Sequence, residues 1–160
     1  MKTRQGDAHK LKGKFWEAMD DSPFVFLQLD GDPESAVPMT AQLDEDADSA
    51  VWFFGHKHTS FAKLGPAIAT FAGKDHEMFC RFKGELSIET SPERFDHFWN
   101  SKVAGWYDGG KGDPDMLFLR MDLAGAEIWK ADMGLLNTAK MALGVSVQDE
   151  VAEEHVETTL

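Results

Sequence analysis

The residues best equipped for chemistry lie in one short stretch. Trp52-Phe53-Phe54 runs as an apolar strand into Gly55-His56-Lys57-His58-Thr59-Ser60, and Lys63 follows shortly after. Gly55 lets backbone N–H groups approach a ligand, Thr59 and Ser60 bring hydroxyl donors, and Lys57 and Lys63 bring positive charge. These residue types together suit a phosphate. Upstream, Pro38-Met39-Thr40 forms a second short strand. A phosphorylated cofactor lying on a β-sheet, its tail in the turn after Phe54, is the site these residues outline.

Other spacings carry less. Gly105-Trp106-Tyr107-Asp108-Gly109-Gly110-Lys111-Gly112 has the glycine and lysine spacing of a P-loop, but Gly112 stands where a hydroxyl must hold magnesium. Asp113-Pro114-Asp115 then leads into a strand instead of a helix. Asp44-Glu45-Asp46-Ala47-Asp48 alternates carboxylates like a calcium loop, yet Ser49 replaces the required glycine and Gly55 the bidentate glutamate, so it reads as a solvated hairpin tip. His56-x-His58 can turn two imidazoles to one side, with no further ligand close in sequence, and no metal is expected. There is no Gly-x-Ser-x-Gly elbow. Cys80, the single cysteine, alternates with Met78 and Phe82 and reads as a buried strand residue; an intrachain disulfide is excluded.

Something must position these groups. The chain has 160 residues, 42% of them hydrophobic, which fits one domain with a substantial core. Twelve Phe and five Trp are a heavy load of rings, some available for an interface or a flat ligand. A net charge of −12 argues against nucleic acid or an anionic membrane as partner. No apolar run approaches the ~20 residues of a membrane span, and the polar start lacks a signal-peptide core, so a cytoplasmic protein is expected. Residues 1–9 read as a flexible basic N-terminus, 10–145 as the folded domain and 146–160 as an acidic C-terminal tail, both ends being solvated extensions.

Leu11, Phe15 and Met19 predict an amphipathic helix over 10–20. Apolar, β-branched runs predict strands at 24–29, 36–43, 50–54, 67–71, 77–88, 116–123 and 127–130, with Asp30-Gly31 turning a hairpin and Gly84 marking a bulge or corner. Ser91-Pro92-Glu93 opens a helix bearing Phe95, Phe98 and Trp99, and Leu135, Leu136, Ala139, Ala142 and Leu143 fit another. Many short strands with few peripheral helices imply a mainly β, antiparallel barrel.

In order, Pro38-Met39-Thr40, Val51-Trp52-Phe53-Phe54-Gly55, Gly84 with Trp99-Asn100, Ala104-Gly105-Trp106-Tyr107-Asp108-Gly109 with Asp113-Pro114-Asp115, and Ala126-Glu127-Ile128-Trp129 occupy about residues 10–132. This order resembles the general stress protein branch of the pyridoxamine 5'-phosphate oxidase-like, FMN-binding split-barrel family. The resemblance implies a split β-barrel homodimer holding FMN in clefts between subunits. It places Val37, Pro38, Met39 and Thr40 along the flavin ring and Phe54, Gly55, His56, Lys57, Thr59, Ser60 and Lys63 at the phosphate. Trp106 or Trp129 would approach from the other subunit. Val37 stands where this branch commonly has arginine, and the turn from His56 to Lys63 is longer than usual.

A flavin oxidoreductase or redox-linked stress protein is the function so implied; a non-enzymatic flavin-binding or interaction protein, or a relative using deazaflavin or haem, is the alternative. The vitamin oxidase itself is disfavoured, because no arginine follows Arg120 to hold a phosphorylated substrate. The catalytic residues are unknown, with His56 the one candidate for mutation; substrate and electron donor are not legible.

Overall fold

The computed structural model describes residues 2–47, 49–131, 135–144, 146 and 152–160. In chain order they form β1 (Lys2–Gln5), α1 (Ala8–Asp21), β2 (Phe24–Leu29), β3 (Asp32–Thr40), β4 (Ala50–His56), β5 (Gly65–Ala72), β6 (Met78–Ile88), α2 (Pro92–Phe98), α3 (Ser101–Ala104), β7 (Met116–Ala131), α4 (Leu135–Ala142) and β8 (Ala152–Thr159). Single 3₁₀ turns at Ser60–Lys63 and Gly110–Gly112 complete the list.

The helix expected over 10–20 forms because Asp7 caps it, its carboxylate accepting the Lys10 N–H at 3.0 Å. Leu11, Phe15 and Met19 share one stripe and are fully buried. Phe15 meets Phe71 and Phe82 edge to face, at 5.8 and 5.7 Å, which seats α1 on the inner face of β5 and β6.

The strands form one mainly antiparallel sheet in the order β1-β8-β7-β6-β5-β2-β3, with β4 on β7. Its curl comes from β7. This 16-residue strand carries β6 along one edge, while the other edge pairs first with β4 and then with β8. The result is the antiparallel barrel expected from the strand pattern, in the split form that the family resemblance implies. The two strands expected at 116–123 and 127–130 are one, because Ala124-Gly125 continues in extended conformation instead of turning.

The bulge expected at Gly84 is present: Phe82 pairs with Ala126 but Gly84 with Leu123, a one-residue slip. The Asp30-Gly31 hairpin also forms, with Gly31 at φ +79. Beside it the buried Ser35 hydroxyl accepts the Leu29 N–H at 2.8 Å and donates to the Asp32 carbonyl at 2.6 Å, satisfying groups that the register shift there unpairs.

β4 is buried on both faces. Val51 and Phe53 enter the main core, while Ala50 and Trp52 join a second cluster with Phe98 and Phe118 beneath α2. Arg94 lies 4.4 Å over the Trp52 ring and pairs with Asp44, and the Trp52 indole N–H donates to Glu89 at 2.9 Å. Gln42 and Trp52 bridge across the base of the acidic loop as a hairpin would, but Asp44 is held against Arg94 instead of being solvated, and Asp48 lies outside the described residues.

Both chain ends differ from the solvated extensions that charge alone implies. β1 and β8 pair in parallel, Arg4 beside Glu154 in register, and β8 lies antiparallel on β7. Among the β8 residues whose burial is described, Val156 alone is deeply buried, so β8 carries almost no apolar signal. Periodicity places α4 correctly.

Cys80 is buried in β6 as expected, and burial pushes its thiol up to about 12. At neutral pH it is therefore a protonated thiol without access to solvent. We expect no reaction with Ellman's reagent in the native state and one equivalent after denaturation; fast native labelling would contradict the burial.

Candidate functional site

A cavity of about 570 Å³ opens where β3, the end of β4 and the segment around α3 converge. It gathers Val37, Pro38, Met39, Thr40, Phe54, Gly55, His56, Thr59 and Trp106, all of them expected from sequence. Lys57, Ser60 and Lys63 are exposed on the same turn but outside the cavity lining, so the structure does not bring the two lysines to the wall. Trp129 lies elsewhere, on β7, stacked on His155 at 5.1 Å with Arg81 5.9 Å above the ring. Trp106, 76% exposed, stands on the wall formed by its own chain.

Asn100, Lys102, Val103 and Tyr107 complete one side, and the sequence alone does not mark them as site residues. Their placement starts with Asn100, whose side chain caps α3 by accepting the Lys102 and Val103 N–H groups at 2.9 and 3.0 Å. The Asn100 spacing signals this helix start, but nothing local signals that the helix faces β3. On the other sides stand Pro23, Phe24, Gln42 and Phe61.

Hydrogen bonds across the fold fix the turn after β4. The Tyr107 hydroxyl donates to the Gly55 carbonyl at 2.6 Å, and its ring rests 4.8 Å from His56. Thr59 donates its hydroxyl to the His56 carbonyl at 2.7 Å, and the Lys57 N–H donates to the Asp115 carbonyl at 2.8 Å. The near-P-loop segment thus serves as a brace: it passes through a 3₁₀ turn into β7, and Asp113 accepts the Gly109 and Asp115 N–H groups, both at 2.9 Å.

Charge follows from these contacts. Burial pushes the Tyr107 phenol up to about 12, aided by Asp113 and Asp115, so it remains a hydrogen-bond donor at neutral pH. Backbone N–H groups of Gly109 and then Asp115 hold the Asp113 carboxyl below the usual range. For Asp115 burial opposes the charge, but hydrogen bonding and attraction to His58, joined by His56, outweigh it and lower its pKa. These depressed carboxylates stabilise the turn above the ordinary carboxylate range, and that contribution is lost as pH falls through their lowered values.

The arrangement can grip a flat ligand. Met39, Phe54, Val37 and Trp106 supply apolar surface, and Thr40, Thr59, Asn100 and Lys102 supply polar groups. β3 ends the sheet order, so among the described residues its outer edge keeps peptide groups outside the ladder, available to a polar ring edge.

Comparison with known proteins identifies this architecture. Residues 10–152 match the family described as pyridoxamine 5'-phosphate oxidase like. A protein described as general stress protein 26 from Jannaschia sp. CCS1 is 28% identical, covers 96% of this chain and 100% of its own, and has a TM-score of 0.78. A general stress family protein from Xanthomonas campestris pv. campestris is 37% identical over 82% of this chain and 94% of its own, at TM-score 0.71. The general stress FMN/FAD binding protein of Xanthomonas citri is 38% identical over 77% of this chain and 90% of its own, at TM-score 0.69. No curated protein matches the chain. On the family match, the shared split barrel and these relatives, the chain belongs to the general stress protein branch of the pyridoxamine 5'-phosphate oxidase-like family.

Proposed function

We propose that this protein binds FMN in the cavity between β3, β4 and α3 and acts as a small flavin-dependent oxidoreductase or redox-linked stress protein. The observation that carries the proposal is the cavity itself: about 570 Å³, apolar along β3 and Phe54, polar around Thr59, Asn100 and Lys102. FMN is a flat, largely apolar ring with a hydrogen-bonding edge and a dianionic tail, and it needs such a division. The Xanthomonas citri relative's name, a general stress FMN/FAD binding protein, supports the same choice.

Val37, Met39, Phe54 and Trp106 would hold the ring, and the peptide groups of β3 its polar edge. His56, Thr59 and Lys102 would meet the tail; Lys102 replaces Lys57 and Lys63 as the lysine on the wall. Bound flavin would supply hydride or single-electron transfer. The chain's part is to orient it and limit water, and no acid or base is assigned.

The family resemblance further supports a homodimer with the cofactor at the subunit interface. Phe24 and Phe26 are 62% and 55% exposed and pair in register with Thr40 and Pro38 across β2 and β3, and Phe24 also lines the cavity, an exposed apolar strip unusual for a lone subunit. The buried cysteine suits a cytoplasmic setting. Among the described residues no helix is long and apolar enough to cross a membrane.

Equilibration with FMN followed by gel filtration tests the reading: the protein should emerge yellow, as a dimer. Colourless protein that takes up no FMN would end it. Lys102→Ala should weaken FMN about 10- to 100-fold, the loss of one charge-assisted hydrogen bond, and riboflavin hardly at all. Equal loss for both would move the tail away from Lys102. Steady-state turnover with NADH or NADPH would mark an enzyme, and tight binding without turnover a carrier.

A further inference from the structure

Beside the cavity the fold assembles a group that the sequence keeps apart. Asp115 Oδ2 lies 3.0 Å from His56 Nδ1 and 2.7 Å from His58 Nδ1, and one ligand atom from each of the three residues lies within 4.8 Å of the others. No third ligand stands near His56-x-His58 in sequence; the β4–β7 register, with His56 opposite Met116, delivers one.

Backbone contacts hold the three in place. The Lys57 N–H donates to the Asp115 carbonyl at 2.8 Å, the His58 N–H to Asp115 Oδ1 at 3.3 Å, and the Asp115 N–H to Asp113 at 2.9 Å. Among the described residues no lysine or arginine forms an ion pair with Asp115. The other cluster of ligand types, Glu127, His155 and Glu157, differs in this respect, because Arg81 already occupies Glu127 at 2.6 Å.

We propose that His56, His58 and Asp115 form a binding site for a divalent transition-metal ion on the rim of the cavity. Two imidazole nitrogens and one carboxylate oxygen suit Zn²⁺ and its neighbours, whereas Ca²⁺ and Mg²⁺ require oxygen donors. Each imidazole coordinates through Nδ1 and carries its proton on Nε2, so the hydrogen bonds to Asp115 give way to bonds to the metal. The His58 side chain is 71% exposed, which gives the ion an entry path and leaves its remaining positions to water. With one carboxylate the loaded site is net +1, beside a wall whose lysine is Lys102. The site does not depend on flavin.

The test uses the full chain without an affinity tag, stripped by chelator and free of FMN, titrated with Co²⁺ by visible absorbance and with Zn²⁺ by calorimetry. One equivalent should bind. His58→Ala and Asp115→Asn should each cost at least the ~10- to 100-fold that loss of a group merely hydrogen-bonded to a metal ligand costs. His58 is exposed, so losing its pair with Asp115 should lower Tm by no more than about 4 °C. His58→Cys should retain Zn²⁺ and add a thiolate charge-transfer band with Co²⁺. No saturable uptake, or equal uptake by the parent, His58→Ala and Asp115→Asn, would overturn the proposal and leave the three residues a hydrogen-bonded brace. Because FMN is absent throughout, the flavin reading can fail or stand separately.

Discussion

Replacing Gly84 with alanine is expected to cost about 3 kcal/mol, the upper end of the overpacking range, and to lower Tm by roughly 6–12 °C. A Cβ at this position would lie 2.4 Å from the Asp122 carbonyl oxygen and 2.9 Å from Met121 Cγ. Neither neighbour can retreat cheaply. The carbonyl belongs to β7 where it pairs with β6, and Met121 is fully buried in the main core. The bulge at Gly84 sits opposite the point where β7 passes from β4 to β8, so relief of the clash would shift the strand that shapes the barrel. Gly125→Ala is the matched control: nothing lies within 4 Å of its added Cβ, and its φ is not positive. It should change stability by less than about 0.5 kcal/mol. Thermal or urea denaturation of both variants checks this, and a Gly84→Ala protein as stable as the parent would refute the packing argument.

Tyr107→Phe is expected to cost about 1–3 kcal/mol, because it removes the buried donor to the Gly55 carbonyl while keeping the ring. Tyr107→Ala should cost about 3–5 kcal/mol, since the ring also packs at 4.8 Å from His56 and walls the cavity. The difference between the variants separates the hydroxyl from the ring. An unchanged urea slope with a lower midpoint would identify the loss as one of stability alone. If the cavity holds FMN, the alanine variant should lose affinity by the larger factor.

The same residue gives a pH test. It is the only tyrosine, so phenolate absorbance reports on it alone. Folded Tyr107 should titrate near 12 instead of 10. An acid whose folded pKa is raised contributes fully below its unfolded value, so this contribution is intact below about pH 10 and is lost as pH rises toward 12. Native titration near 10 would show an exposed phenol.

Local chemistry made much of the fold legible. The four-residue spacing of Leu11, Phe15 and Met19 wrote α1, alternation of Met78, Cys80 and Phe82 wrote β6, and Gly84 announced its bulge. β1 and β8 are not legible in the sequence because each is a polar segment that becomes a strand beside the other or β7. Ala124-Gly125 looked like a turn for a related reason, since glycine permits one without requiring it.

The site divides in the same way. Sequence alone determined a β-rich fold, the two strands bearing Pro38-Met39-Thr40 and Phe54-Gly55, and the turn between β4 and β5, because these depend on residues adjacent in the chain. Tertiary structure decided which turn residues meet the cavity, leaving Lys57 and Lys63 off its wall and bringing Lys102 and Tyr107 onto it. It also brought Asp115 to His56 and His58 across a separation of 59 and 57 positions. Pairing of β4 with β7 sets those distances, and strand register is a property of the closed sheet that no short window of sequence contains.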